Sequence, residues 1–277
     1  MAIALGRSAQ PHAESPGLLI DRARYAIDDL QSAPARGLIA DCQIQLAKTG
    51  ACLLPAFLTD AATARMAEEA RALVHLAHHE RSQGTAYLAA PDPNFPEGHP
   101  RRHLMTSSVR AVAYDLVPSG AALRSLYEWD GLLEFIARVV GVDRIYRYAD
   151  PLGGLNIAVM SAGDHLLWHF DQTDFVISIL LQGGESGGAF EYVPFIRDAH
   201  NPNYDRVARL LDGDRSEVIK LDLQPGMFVF FQGRNSIHRV TSVRGRVDRL
   251  IALLGYDTKP GTMSSDSLKM SRYGRTH

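Results

Sequence analysis

The sequence predicts a mixed α+β chain in which a mainly helical N-terminal part packs on an antiparallel, double-sheet jelly roll. Two observations carry this. Up to about residue 142, apolar residues recur mostly at helical spacing. From Ile145 onward, short β-rich runs follow at 145–149, 154–160, 175–182, 189–193, 217–222, 227–232 and 248–256, separated by Gly, Pro and Asn turns. Helices followed by strands suggest helices on a sandwich, and the strand count suits a jelly roll of about eight. The expected organisation is a loose tail over 1–17 and a single domain over 18–277. Within it, helical support spans about 18–142, the jelly-roll core about 143–257 and a C-terminal tail 258–277.

In order, Ile20, Tyr25, Ile27 and Leu30 form one apolar stripe at helical spacing. Leu38, Cys42 and Leu46 form another before Gly50. Ala51–Leu54 reads as a strand ended by Pro55. Thr59 and Asp60 cap a helix expected to reach about Gln83, with Met66, Ala70, Leu73 and Ala77 inward. That stretch carries His75, His78 and His79, but no Glu sits between the pair at i, i+4 and no third ligand is near, so a solvated face is expected. Residues 84–105, with Pro91, Pro93, Pro96 and Pro100, read as a long loop that is either functional or disordered. Its His99, Arg101, Arg102 and His103 either bind a substrate carboxylate or line a solvated turn. Helices follow over 119–128 and 130–140, the second stopped by Gly141. Residues 198–214 form a charged insertion with a short helix over Tyr204–Leu211.

Composition excludes several functions. The 277 residues are 46% hydrophobic and 22% charged, with net charge −2, so no basic excess points to nucleic acid or an anionic membrane. No run approaches the roughly 18 apolar residues of a membrane span. Cys42 and Cys52 are the only cysteines, which suggests a reducing compartment rather than a disulfide framework. The N-terminus lacks the charged start and apolar core of a secretion signal, and a cytoplasmic location is expected.

The chemistry concentrates in Trp168-His169-Phe170-Asp171. On an extended strand, side chains at i and i+2 share a face, so His169 and Asp171 offer an imidazole nitrogen and a carboxylate oxygen to one point. His238, in Ser236-Ile237-His238-Arg239-Val240, completes a two-histidine, one-carboxylate set with open positions, the ligand type of non-haem Fe(II) oxygenases. The spacing alone is weak: with 11 His and 21 Asp, one His-x-Asp arises about once by chance. Arg249 opens the strand Leu250–Leu254, and a guanidinium fork there suits an acidic co-substrate. Arg244 and Arg246 compete for this role from a turn around Gly245.

The run Gly154-Leu155-Asn156-Ile157, Gly163, Trp168–Asp171, Phe175–Gln182 and Gly187–Pro194 resembles Fe(II)/2-oxoglutarate-dependent dioxygenases. So does Pro225-Gly226 with His238-Arg239-Val240, Gly245 and Arg249. The resemblance spans roughly 105–277 and is closest to the ArpA-like subgroup of free-lysine radical halogenases and their hydroxylase relatives. Asn201–Val207 and Tyr273-Gly274-Arg275 share that likeness. It implies a double-stranded β-helix, Fe(II) on His169, Asp171 and His238, 2-oxoglutarate with its distal carboxylate on Arg249, and O₂. Asn156 and Met160 should face the site, Asn156 either touching the co-substrate or making a structural hydrogen bond. Trp168 should pack beside the metal strand. The halogenases carry a small residue in place of the carboxylate ligand, so Asp171 argues for hydroxylation of an unactivated C–H with release of succinate and CO₂.

The substrate implied is a small molecule such as a free amino acid, walled by 84–105 and 198–214. Asp174, Glu191 and Asp257 are candidates for its ammonium and Arg101 or Arg102 for its carboxylate. A homodimer stays open. Two other readings remain: a peptidyl hydroxylase, and a non-catalytic jelly-roll binding protein.

Overall fold

Short polar side chains start the first helices. Ser32 Oγ accepts from the Ala35 N–H (3.3 Å) at the head of α1 (Ala33–Thr49), and Gly50, at φ 71°, ends it in the left-handed region. Thr59 Oγ1 accepts from the Ala62 N–H (3.1 Å) at the head of α2 (Asp60–Leu73). Between them lies β1 (Ala51–Leu54). The chain continues through β2 (His78–Gly84), β3 (Met105–Val112), α3 (Ala122–Glu128), α4 (Asp130–Val140), β4 (Tyr146–Arg147), β5 (Leu155–Met160) and β6 (Leu166–His169). It ends with β7 (Val176–Gln182), β8 (Phe190–Val193), α5 (Tyr204–Leu211), β9 (Ile219–Leu221), β10 (Phe228–Phe231), β11 (Ile237–Val240), β12 (Arg249–Leu254), β13 (Tyr256–Asp257) and α6 (Asp266–Tyr273). This computed structural model describes residues 15–277. Residues 1–14 of the expected tail lie outside the described residues, while Pro16–Leu19 is a 3-10 turn with Leu19 buried.

A seven-stranded sheet runs β1-β10-β7-β12-β5-β3-β2, a four-stranded sheet runs β6-β11-β8-β9, and β13 pairs with β4. The pairings are antiparallel, as the jelly roll requires. Strand alternation splits the large sheet into two faces. Leu155, Ile157 and Val159 of β5, Ile177, Ile179 and Leu181 of β7, and Phe228 and Phe230 of β10 pack against the helices. Ala158, Met160, Leu180 and Ile251 turn the other way, into the roll, where they meet Val240 of the small sheet. Val229 and Phe231 meet Tyr192 there. The same chain segments thus build a helix-covered core and an inner cavity wall.

Three expectations fail. The stripe from Ile20 to Leu30 is not a helix but a series of turns, because Ile20 bridges Leu58 and Tyr25 hydrogen-bonds Pro55 O (2.6 Å). The helix expected to reach Gln83 stops at Leu73. His78–Gly84 is instead an edge strand paired residue for residue with β3 from His78↔Ala111 to Gly84↔Met105. Long-range pairing overrides local helix preference there. The strand-rich region also begins before Ile145, since β2 and β3 join the large sheet. Helices at 122–128 and 130–140, Gly141 at φ 75°, and α5 over Tyr204–Leu211 fall where the sequence places them. No helix among the described residues is long and apolar enough to cross a membrane.

Candidate metal centre

β6 and β11 are hydrogen-bonded neighbours whose register sets His169 opposite His238. Their ring centroids lie 4.1 Å apart. Each ring is oriented from behind by a carbonyl: His169 Nδ1 lies 2.8 Å from Leu167 O, and His238 Nδ1 lies 3.1 Å from Ser236 O. With Nδ1–H donating to these oxygens, both Nε2 lone pairs are left for a metal. Burial, then the His238 ring, pushes the His169 pKa down to about 4, which keeps its imidazole neutral. Phe231 packs edge-on against His238 at 4.8 Å and Phe190 stacks on it at 5.4 Å, fixing that ring.

Asp171 reaches the same point by a different route from the one expected. The strand ends at His169, so Asp171 stands on the loop beyond it, anchored by its N–H to Gly233 O (3.1 Å). Its Oδ1 lies 4.0 Å from His169 Nε2 and 3.6 Å from His238 Nε2. One ligand atom from each residue falls within 4.8 Å of the others, and among the described residues this is the one such cluster of three or more. Atoms about 2.0–2.2 Å from a shared ion stand at separations of this order. Gly233 makes the approach possible: a Cβ there would lie 1.7 Å from Asp171 Oδ2. Sequence reasoning missed this residue, and its only signal was a glycine between two β-runs.

Arg249 opens β12 opposite Met160 on the inner face and is 3% exposed. Nη1 touches Met160 Sδ at 3.8 Å, Nη2 is buried with no hydrogen-bond partner among the described residues, and burial pushes the pKa down to about 10. Gly188, at φ 61°, leaves room for the side chain, since a Cβ there would come 2.8 Å from Arg249 Cδ. Arg244 and Arg246, by contrast, are exposed. Asn156 shares the inner-face alternation of Ala158 and Met160, and its Oδ1 is buried without a partner. Asp171 Oδ2 is likewise unpaired. Buried polar atoms are rarely left so; Asp171 Oδ2 suits a metal and Arg249 Nη2 an acid, while Asn156 Oδ1, an acceptor, calls for a donor. The donor set of two imidazoles and one carboxylate fits iron.

Other candidates lie elsewhere. His78 and His79 sit on β2, and His79 Nε2 faces Ser108 Oγ at 2.8 Å. Trp168 is buried on the opposite face under Arg239, 4.8 Å from its ring centroid. Glu191 pairs with Arg239 (2.7 Å) on that same outer side, and Asp174 pairs with Arg234. Arg101 stacks over Tyr87, Arg102 donates to Phe95 O (3.1 Å), and His99 stacks on Phe95. Asp257 lies on β13, paired with β4 outside the large sheet, and accepts from Lys259 N–H (3.2 Å) and Thr262 Oγ1 (2.9 Å).

The family model described as Halogenase D matches residues 35–270. No curated protein matches. Among solved structures, AviO1 from Streptomyces viridochromogenes superposes with a TM-score of 0.54 at 16% identity, covering 82% of this chain and 97% of that one. A prolyl hydroxylase from Trichoplax adhaerens, in complex with a hypoxia-inducible-factor peptide fragment, gives 0.53 at 15% identity, covering 80% and 89%. SnoN, an epimerase of nogalamycin biosynthesis solved with Fe³⁺ and alpha-ketoglutarate, gives 0.55 at 14% identity, covering 80% and 84%. At these identities the likeness is one of fold. With its matched span and a jelly roll shared with these oxygenases, the chain belongs to the Halogenase D family.

Proposed function

We propose that this chain is an Fe(II)- and 2-oxoglutarate-dependent hydroxylase acting on an unactivated C–H of a small molecule, most simply a free amino acid, as one domain over 18–277. Within the Halogenase D family it falls with the ArpA-like hydroxylase relatives of the free-lysine halogenases. The observation that carries the reading is Asp171: a carboxylate stands beside the two imidazoles, where a halogenase of this kind carries a small residue.

In this reading His169, Asp171 and His238 would hold the iron, which a two-histidine, one-carboxylate set suits for oxygen chemistry. Arg249 takes the distal carboxylate of 2-oxoglutarate in a dry wall, where a charge-assisted pair is strong and where no carboxylate among the described residues pairs with it. Asn156 offers its amide to the same molecule. Bound iron with 2-oxoglutarate and O₂ supplies the oxidative decarboxylation to succinate and CO₂ that drives C–H hydroxylation. The protein orients the reactants and excludes water, to which Phe190 and Phe231 contribute by covering His238. A net charge of −2 supports a small-molecule substrate over nucleic acid or an anionic membrane, and the free, buried Cys42 and Cys52 suit a reducing, cytoplasmic location.

Anaerobic addition of Fe(II) and 2-oxoglutarate should give a visible charge-transfer band that O₂ bleaches; a binding module gives none. Succinate release is then screened across free amino acids and peptides in chloride buffer, with products read by mass spectrometry. A product gaining one oxygen supports the reading, and one carrying the chlorine isotope pattern overturns it. Turnover with peptides alone favours a peptidyl hydroxylase.

A further inference from the structure

The segment after β13, read from sequence as a tail, is bolted across the roll. At the head of α6, Ser264 N–H donates to Asp150 Oδ2 (2.9 Å), and the buried Lys269 ammonium lies 3.8 Å from Asp150 Oδ1. At the other end Ser271 Oγ donates to Glu80 Oε1 (2.7 Å) and Arg272 Nη1 to Glu80 Oε2 (3.3 Å). Tyr273 packs on Ala111, Ala113 and Leu152, and Arg275 pairs with Asp115 (2.6 Å). The helix thus joins the turn before β5 to edge strand β2. Glu80 lies opposite Val109, which belongs to the inner face with Ala158 and Met160. Consequently α6 covers the inner side of the sheet where it extends past β5, and Glu80 holds the Arg272 guanidinium there.

We propose that α6 is a wall of the substrate pocket and that Arg272, positioned by the buried Glu80, binds the α-carboxylate of a free amino acid. This rests on the reading of the metal centre above. Arg249 is already assigned to the co-substrate, Arg101 stacks over Tyr87, Arg102 donates to Phe95 O, and Arg239 pairs with Glu191. Glu80 holds one Nη of Arg272 while the side chain keeps 26% of its surface open, so the rest of the guanidinium fork can meet a second carboxylate. A buried acid behind a guanidinium fixes its direction, which a substrate carboxylate requires for a two-pronged contact.

The test compares free amino acids with their carboxamides as probes, reading succinate release from full-length protein loaded with Fe(II) and 2-oxoglutarate. Wild-type protein should prefer an acid over its amide by about 10- to 100-fold in kcat/KM. Arg272→Leu should lose that preference and keep the charge-transfer band; Arg272→Lys should keep part of it. Glu80→Gln should raise KM for the acid with kcat little changed. An acid preference surviving in Arg272→Leu overturns the assignment. So does a wild-type protein that forms the band but turns over no amino acid, which leaves the metal centre standing. Absence of the band in wild-type protein overturns both.

Discussion

The two faces of the large sheet are made by the same strands and do opposite work. On the helix side, β5, β7 and β10 present Leu, Ile, Val and Phe without a polar interruption, and the face is closed. One residue along, the same strands and β12 present Asn156, Ser178 and Arg249, all buried and polar. The first face contributes apolar burial, and the second carries the desolvation cost of unpaired groups. Such a cost persists in a fold when a ligand offsets it. The alternation of a β-strand is therefore what separates stability from function in this molecule.

Substitutions on either face can break that separation. The largest effect is expected for Asp171→Ala, which should bring succinate-forming turnover to background with a circular dichroism spectrum like the parent's. Robust turnover by the variant would remove Asp171 from the metal centre. On the opposite face, Phe230→Ala should cost about 3–5 kcal/mol of stability in urea denaturation while the remaining folded protein still develops the charge-transfer band. Loss of that band at full folding would show that the faces are not separable. Arg249→Leu should weaken 2-oxoglutarate binding about 30-fold or more, measured by titrating the band, and leave iron affinity nearly unchanged. Equal loss of both would assign the carboxylate to another arginine. The smallest effect is expected for Gly188→Ala, where φ 61° and the nearby Arg249 Cδ together cost about 1–2 kcal/mol in thermal unfolding. Its 2-oxoglutarate affinity should fall by less than in Arg249→Leu.

The jelly roll was legible because its strands are apolar and well punctuated, and the seven β-runs named from sequence all contain a strand. The grouping of His169, Asp171 and His238 was legible from residue type together with the family resemblance, since the His-x-Asp spacing alone is weak, and Asp171 stands beyond the strand expected to carry it. β2 was not legible. Its His, Arg and Gln residues alternate with little apolar signal, and an alanine-rich helix runs into it, so only pairing with β3 reveals it. Glu80 and Arg272, 192 positions apart, meet because an edge strand and the last helix are brought together, and no local pattern encodes that. The same holds for Gly233 behind Asp171.

The backbone at Gly233 also limits what can stand at position 171. Main chain presses on the carboxylate from behind, so a longer acid has no room to retreat and must crowd the imidazoles. Shortening the side chain to Ala or Gly would instead open a niche of roughly one carboxylate's volume, walled by peptide on one side and two nitrogen donors on the other. A monatomic anion is of a size to occupy it. Exchange between an internal and an external anion at this corner thus requires one side chain to change while the surrounding scaffold stays in place.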